Sequence, residues 1–326
     1  MKLSLKALLA AFALLSLNCG SLAHAQAWPN KPVRVIIPFP PGAGAENAAR
    51  LVSNHWSKVF GQGFVIDARP GGNTMIGAEA AARSAPDGYT LFLCAASTMV
   101  VTPALMGAKA PINASRDFVP VGLVSRLPFF LVVPSSVPVN SVAELIALAK
   151  AKPGTVTYAS NGNGTAGHLG FELLKRQLGI DVTHIPYKGY AQALPDLLGG
   201  RVTTMMADLV VVGPTIKEGR LRALAATSLE RSKFLPNLPT MVELGFPGYE
   251  VTVWFGVFAP AGTPADIVSR LNGEMRKYLA TAEAKEGYEK LGHEPAPSTP
   301  EELRAQIAAD AEKYGRIIRD ANIKLE

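Results

Sequence analysis

Thr155-Val156-Thr157-Tyr158-Ala159-Ser160-Asn161-Gly162-Asn163-Gly164-Thr165 is the stretch on which the fold turns. A short run of β-branched and aromatic residues enters a cluster of glycines and asparagines, and a helical pattern then continues to about Leu178. Strand, glycine-rich turn and helix in that order form the repeating unit of an α/β fold, with strands joined by crossover helices. The same design appears near the start of the chain. There Val33 to Pro38 reads as a strand and runs into Phe39-Pro40-Pro41-Gly42-Ala43-Gly44-Ala45-Glu46. A helix follows over Ala45 to Phe60, with Ala48, Leu51, Val52, Trp56, Val59 and Phe60 on one stripe, and Gly61 stops it.

Working outward, strands are expected at Phe64 to Asp67, Tyr89 to Ala95, Phe129 to Val133, Val182 to Ile185, Val202 to Ala207, Leu221 to Ala226 and Val251 to Ala259. Helices are expected at Met75 to Arg83 and from Val142 to Ala151, the second opened by a capping box at Ser141-Val142-Ala143-Glu144. Thr263-Pro264 and Thr299-Pro300 each set a cap residue before a proline at the first helical position, so the tail reads as helical. No internal repeat is visible, which excludes a solenoid or propeller.

At 326 residues the chain has the length of about two domains. Hydrophobic residues make up 48% and charged residues 18%, so large cores can be buried and disorder is excluded. The net charge is +6, yet no three basic residues are consecutive, and a nucleic-acid footprint needs its basic residues clustered on one face. Residues 1–25 read as a secretory signal: Lys2 and Lys6 precede an apolar stretch from Ala7 to Leu17, and Ala23-His24-Ala25 fits a cleavage site. A membrane anchor would need a longer apolar run, and a lipoprotein reading at Cys19 lacks the small residues before it. Cleavage after Ala25 would remove Lys2, Lys6 and Cys19, leaving Cys94 alone in an apolar strand with no intramolecular disulfide.

Both glycine-rich loops are candidate anion sites. Glycines let the backbone turn its N–H groups outward at a helix start, where unsatisfied donors and the dipole both favour negative charge. Three or four such donors could hold a carboxylate with no Arg or Lys. The competing reading is that the glycines only close strand-to-helix turns. Gly162, Gly164 and Gly167 spell G-x-G-x-x-G, which raises a dinucleotide fold, but the acidic residue expected after the next strand is missing because Asp181 precedes Val182. In the first loop Asn47 takes the third glycine position and Pro40-Pro41 stiffen the turn.

Catalytic constellations are absent from the sequence. Ser160 lacks the first glycine of a nucleophile elbow, there is no H-E-x-x-H or C-x-x-C, and His55, His168, His184 and His293 are scattered. His168 lies one turn into the second helix, where it could donate to a bound oxygen or simply pack. Glu46 could serve the first helix dipole or face a ligand; in the second case it would disfavour another carboxylate and favour an ammonium or hydroxyl donor.

The chain resembles the solute-binding receptors of tripartite tricarboxylate transporters, the Bug-type periplasmic proteins. The resemblance is carried by Trp28-Pro29-Asn30-Lys31-Pro32, Phe39-Pro40-Pro41-Gly42, Arg69-Pro70-Gly71-Gly72-Asn73 and Ala85-Pro86-Asp87-Gly88-Tyr89-Thr90-Leu91. It continues through Gly162-Asn163-Gly164-Thr165 with His168-Leu169, Ile185-Pro186-Tyr187-Lys188-Gly189, Asp196-Leu197-Leu198-Gly199-Gly200, and Trp254 with Ala259-Pro260-Ala261-Gly262-Thr263-Pro264. It implies a non-enzymatic, two-lobed α/β periplasmic-binding-protein fold of the Venus-flytrap kind, each lobe a sheet flanked by helices. Lobe 1 would be residues 26–126 plus 254–326 and lobe 2 residues 127–253, with a small organic acid held between them by backbone and hydroxyl donors. The implied site comprises Phe39, Pro40, Gly42, Ala43, Gly44, Ala45 and Glu46 on one side, and Ser160, Asn161, Gly162, Gly164 and Thr165 on the other. His168 and Asp208 are supporting candidates. No metal and no cofactor is implied. The implied partners are the carboxylate and the membrane permease, the receptor itself acting as a monomer in the periplasm.

Two departures from the family pattern stand out, Ala43 where glycine is usual and Glu46 where aspartate is usual. An exported hydrolase or dinucleotide enzyme, and a sensor that hands its ligand state to a signalling protein, are the alternative readings.

Overall fold

The computed structural model describes residues 28–41 and 44–324. The expected signal segment with its cleavage site, and Gly42 and Ala43 of the first loop, lie outside them.

The chain opens with strand β1 (Val33–Ile37), helix α1 (Gly44–Phe60), β2 (Phe64–Ala68), α2 (Met75–Ala82) and β3 (Thr90–Ala95). β3 leads directly into a π-helical turn at Ser97–Val101 and the short α3 (Thr102–Met106). After α4 (Ala114–Asp117) comes β4 (Phe118–Pro134), then α5 (Val142–Ala151), β5 (Thr157–Ser160), α6 (Ala166–Leu178) and β6 (Thr183–Pro186). α7 (Tyr190–Leu198), β7 (Thr204–Asp208), α8 (Leu209–Lys217), β8 (Leu221–Ala226) and β9 (Thr252–Pro260) follow. The chain finishes with α9 (Ala265–Leu279), α10 (Ala282–Glu289), β10 (Glu294–Pro295) and α11 (Pro300–Asp320).

The described strands make one mixed sheet in the order β2-β1-β3-β9-β4-β7-β5-β6, with β8 and β10 also pairing to β4. β1 pairs in parallel with β2 and β3, and β5 in parallel with β6 and β7, as crossover helices require. β4 is the seam. Its first part, Phe118 to Pro128, lies antiparallel to β9, and Phe129 to Val132 lies antiparallel to β7.

Strand periodicity divides the core. Val33, Val35 and Ile37 of β1 face one cluster with α1 and α9, while Ile36 faces another with α2 and α11. β4 repeats the pattern beyond the seam. Phe129, Leu131 and Val133 pack toward α5 and α6, and Phe130 and Val132 toward α7 and α8. α6 is shared: Leu169 enters the cluster beneath α11, whereas Phe171 and Leu174 enter the cluster beside α5.

Three readings need correcting. The strand expected at Phe129 begins at Phe118, because register shifts between Pro120 and Gly122 and between Leu123 and Ser125 carry the strand past its breakers. The helix after Thr263 is capped at Pro264 rather than Thr263, whose hydroxyl turns back to the Pro260 carbonyl. At Ser141 only half the box closes. Ser141 Oγ accepts from the Glu144 amide, but the Glu144 carboxylate accepts from Asn140 instead. The full capping box is at Thr299 and Glu302.

Candidate functional site

Between β5 and α6 the chain folds into a compact loop whose polar side chains mostly serve the loop itself. Gly162 at φ 130 and Gly164 at φ 74 supply backbone conformations that residues with a Cβ rarely adopt. Thr165 Oγ1 donates to the Gly162 carbonyl at 2.7 Å, and the Thr165 amide reaches the same oxygen at 3.3 Å. Ser160 is fully buried; its Oγ accepts from the Gly162 amide at 3.2 Å and lies 2.7 Å from His184 Nε2. Gly167 lets α6 sit on β7, since a Cβ there would meet the Met206 carbonyl oxygen at 2.9 Å. The three glycines of the G-x-G-x-x-G pattern thus make a turn and a close helix-to-strand contact.

At the α6 terminus, Thr165 is the N-cap but its side chain caps nothing. The first-turn amides of α6 therefore keep donor capacity beside a cavity of about 170 Å³. Asn161, Gly164, Thr165, Ala166 and Leu169 line the cavity from this side. Ala96, Ser97 and Val101 line it from the end of β3, Phe129, Thr252 and Val253 from the seam, and Tyr314 from α11. Asn161 Oδ1 is buried without a hydrogen-bond partner among the described residues. Among the described residues no lysine or arginine lines the cavity, so charge recognition falls to dipoles and neutral hydrogen-bonding groups.

The candidates from the first loop sit elsewhere. Phe39 packs edge-on against Phe255 with ring centroids 6.1 Å apart, Ala45 packs on the same core, and Pro40 is exposed. Gly44 starts α1. Glu46 is buried and its carboxylate accepts from the Arg50 guanidinium one turn along the helix. None of the described residues of that loop lines the cavity. Asp208 is buried as the N-cap of α8, accepting from the Val211 amide at 3.2 Å, and burial raises its carboxyl above the usual range. His168 does not donate toward a ligand through Nδ1, which accepts from the Gly164 amide at 3.0 Å.

Sequence reasoning missed the arm from β3. Ser97 and Val101 lie in the π-helical turn, a backbone form often found at functional sites but without a residue signature of its own. The groove of about 530 Å³ lined by Arg222, Phe234 and Leu235 holds none of the sequence candidates.

Residues 48–323 match the family described as "TctC: Tripartite tricarboxylate transporter family receptor". The chain belongs to that family. Among TctC relatives, the protein BugT of Bordetella pertussis is 36% identical, the alignment covering 93% of each chain. The solved structure described as R. palustris Rpa4515 with adipate superposes with a TM-score of 0.75 at 35% identity, covering 91% of this chain and 99% of that one. MatC from Rhodopseudomonas palustris with bound malate superposes with a TM-score of 0.71 at 29% identity, covering 89% of this chain and 100% of that one. The TctC chain thus has the mixed α/β fold of periplasmic binding proteins, in a family of solute-binding receptors rather than enzymes.

Proposed function

We propose that this TctC protein is a periplasmic receptor that captures a small organic carboxylate between two lobes, residues 26–126 with 254–326 and residues 127–253, and delivers it to a tripartite tricarboxylate-type membrane transporter. The observation that carries this reading is the cavity itself. The uncapped first turn of α6 and the Thr165 and Ser97 positions border it, and no basic side chain among the described residues does. A carboxylate in that cavity would take its hydrogen bonds from backbone amides and hydroxyls, each bond to the ionised group worth about 1.5–3 kcal/mol net. Its volume, about 170 Å³, is below the roughly 300–1,000 Å³ of sites for drug-sized molecules and suits a short acid better than a dinucleotide. That two relatives were solved with adipate and with malate supports the same ligand class.

In this reading, Asn161, Gly164 and Thr165 form the ligand's contact surface in lobe 2, with Ser160 and Gly162 shaping it. The loop from Phe39 to Glu46 is the opposing arm, closing on the ligand when the lobes approach. Because β4 and β9 run together through the seam at Phe129 and Thr252, relative motion of the lobes would be concentrated there. Closure is favoured by the differential affinity of the ligand for the closed state and is what the permease would sense. Residues 1–25 direct export and are cleaved off after Ala25, and the receptor works as a monomer.

The test is a thermal-shift panel of mono-, di- and tricarboxylates, amino acids, aromatic acids and nicotinamide dinucleotides. A carboxylate present at about one hundred times its Kd adds about 2.7 kcal/mol of stability. A midpoint raised by a dinucleotide alone would overturn the receptor reading.

A further inference from the structure

We propose that His168 and His184 are positioning residues for the Ser160–Thr165 loop, a pair of stacked imidazoles that hold the loop in its cleft-facing shape when unprotonated and release it when His168 takes up a proton. The inference rests on assigning that loop to the ligand site, but its test does not need a ligand.

The geometry is specific. The Gly164 amide donates to His168 Nδ1 at 3.0 Å, so Nδ1 must be bare and the ring's single proton must sit on Nε2. His184, on β6, places Nε2 2.7 Å from Ser160 Oγ, the hydroxyl that also accepts from the Gly162 amide. Both ends of the loop therefore terminate on an imidazole. The two rings are stacked with centroids 4.0 Å apart and planes 16° apart. His184 also stacks on Tyr158 at 4.8 Å, and Tyr158 lies on Phe171 at 4.2 Å. The stack is anchored in the core beside α5 and β5, while its hydrogen-bonding edges point to the loop.

A proton added to His168 Nδ1 would turn an acceptor into a donor aimed at another donor, and the Gly164 bond would be lost. Two cationic rings at 4.0 Å would also repel, so at most one of the pair could carry charge. The surroundings do not compensate. Glu172 on α6 is already shared between Tyr158 Oη at 2.7 Å and Lys175 Nζ at 2.9 Å. From the C-terminal segment, Lys324 borders the same surface depression as His168, Glu172 and Lys175, so one carboxylate faces two ammonium groups. Burial lowers both imidazoles, His184 to about 4 with the neighbouring His168 adding to the effect. Simple core packing would explain the ring stack but not two hydrogen bonds directed at the backbone and hydroxyl of one loop.

The experiment is NMR on the ligand-free protein between pH 7.5 and 4.5, reading the histidine ring nitrogens by long-range ¹H–¹⁵N correlation and the Gly164 amide by hydrogen exchange corrected for its intrinsic rate. The variants are His168→Asn, whose Oδ1 can accept from Gly164 without titrating, and His168→Leu, which fills the space but cannot accept. The expected result is the Nε2–H form of His168 at pH 7.5, and at least tenfold loss of Gly164 protection as that ring titrates. His168→Asn should hold protection flat across the range, and His168→Leu should lose it at every pH. Should the Leu variant not fold, the wild-type against Asn comparison decides. An Nδ1–H form of His168, or Gly164 protection with the same pH profile in wild type and His168→Asn, would overturn the proposal. A carboxylate panel without a binder would count against the receptor reading and leave this result intact.

Discussion

The indole N–H of Trp254 donates to the Asp310 carboxylate at 2.7 Å, with both residues buried, and this bond ties the central strand β9 to the last helix α11. Asp310 is also paired with Lys313 at 3.2 Å, and Tyr314 on the next position lines the cavity. The bond therefore sets the register of the helix that brings Tyr314 to the site. Asp310→Ala would leave the indole donor and the Lys313 ammonium short of a partner at a cost of about 2–3 kcal/mol, and Asp310→Asn, which keeps an acceptor, would cost less. Urea unfolding measures both, and equal midpoints for wild type and the Ala variant would show that α11 is held by apolar packing alone.

Gly167 is predicted to matter more for binding than its distance from the cavity suggests. A Cβ there meets backbone, the Met206 carbonyl at 2.9 Å, so the start of α6 must lift from β7. Gly167→Ala should cost about 1–3 kcal/mol of stability, as overpacking does, and weaken the best carboxylate at least tenfold by calorimetry. Gly162→Ala meets nothing closer than 3.7 Å and suffers only from its φ of 130. Its cost should be backbone strain of about 1–2 kcal/mol.

Thr165 separates loop shape from ligand contact. Its hydroxyl donates to the Gly162 carbonyl and its side chain borders the cavity. Thr165→Ala should weaken the ligand by about 1–3 kcal/mol while Thr165→Ser, which keeps the hydroxyl, restores most of it. If Ser binds as weakly as Ala, the methyl group rather than the hydroxyl is what the loop uses.

Glu46→Gln is expected to change the ranking of ligands across the panel more than it changes stability. Its carboxylate pairs with Arg50, whose side chain is 57% exposed, and such pairs contribute about 1 kcal/mol or less. An unchanged ranking would confine Glu46 to its partnership with Arg50.

Acid should destabilise the protein through its buried neutral histidines. His293 is 3% exposed, lies 2.9 Å by Nδ1 from Ser125 Oγ and stacks on Phe255 at 5.1 Å; burial pushes it down to about 4. In the unfolded chain a histidine titrates near 6.5, so as pH falls the unfolded state binds the proton first. The stabilisation is complete above about pH 6.5 and is lost progressively toward pH 4, by at most about 3 kcal/mol for this one group. His293→Gln should reduce the acid slope of the unfolding free energy by about one proton, and an unaltered slope would mean that His293 is protonated in the fold.

Much of the fold was legible because strand, glycine turn and helix leave a pattern in single residues. β8 falls on its expected residues, and Thr299 caps α11 ahead of its proline as expected. The start of β4 was not legible, since Pro120, Gly122, Ser125 and Pro128 look like breakers until their register shifts and pairing with β9 are seen. In the candidate loop, Gly162, Gly164 and Thr165 stand out in the sequence because positive φ and helix starts select residue types. Ser97 could not, because a π-helical turn directly after a buried strand needs neither glycine nor cap. His184 looked isolated because only the β5 to β6 register sets it opposite Tyr158 and beneath His168. Such contacts belong to the sheet and have no spacing in the chain.

The most direct measurement is a crystal structure of the protein with the carboxylate that gives the largest thermal shift. The carboxylate oxygens are expected within about 3 Å of the amides at the start of α6, a length usual for charge-assisted bonds, in the cavity bounded by Ser97, Thr165 and Tyr314. A ligand bound instead in the groove by Arg222 and Phe234, with the α6 start left to water, would contradict it.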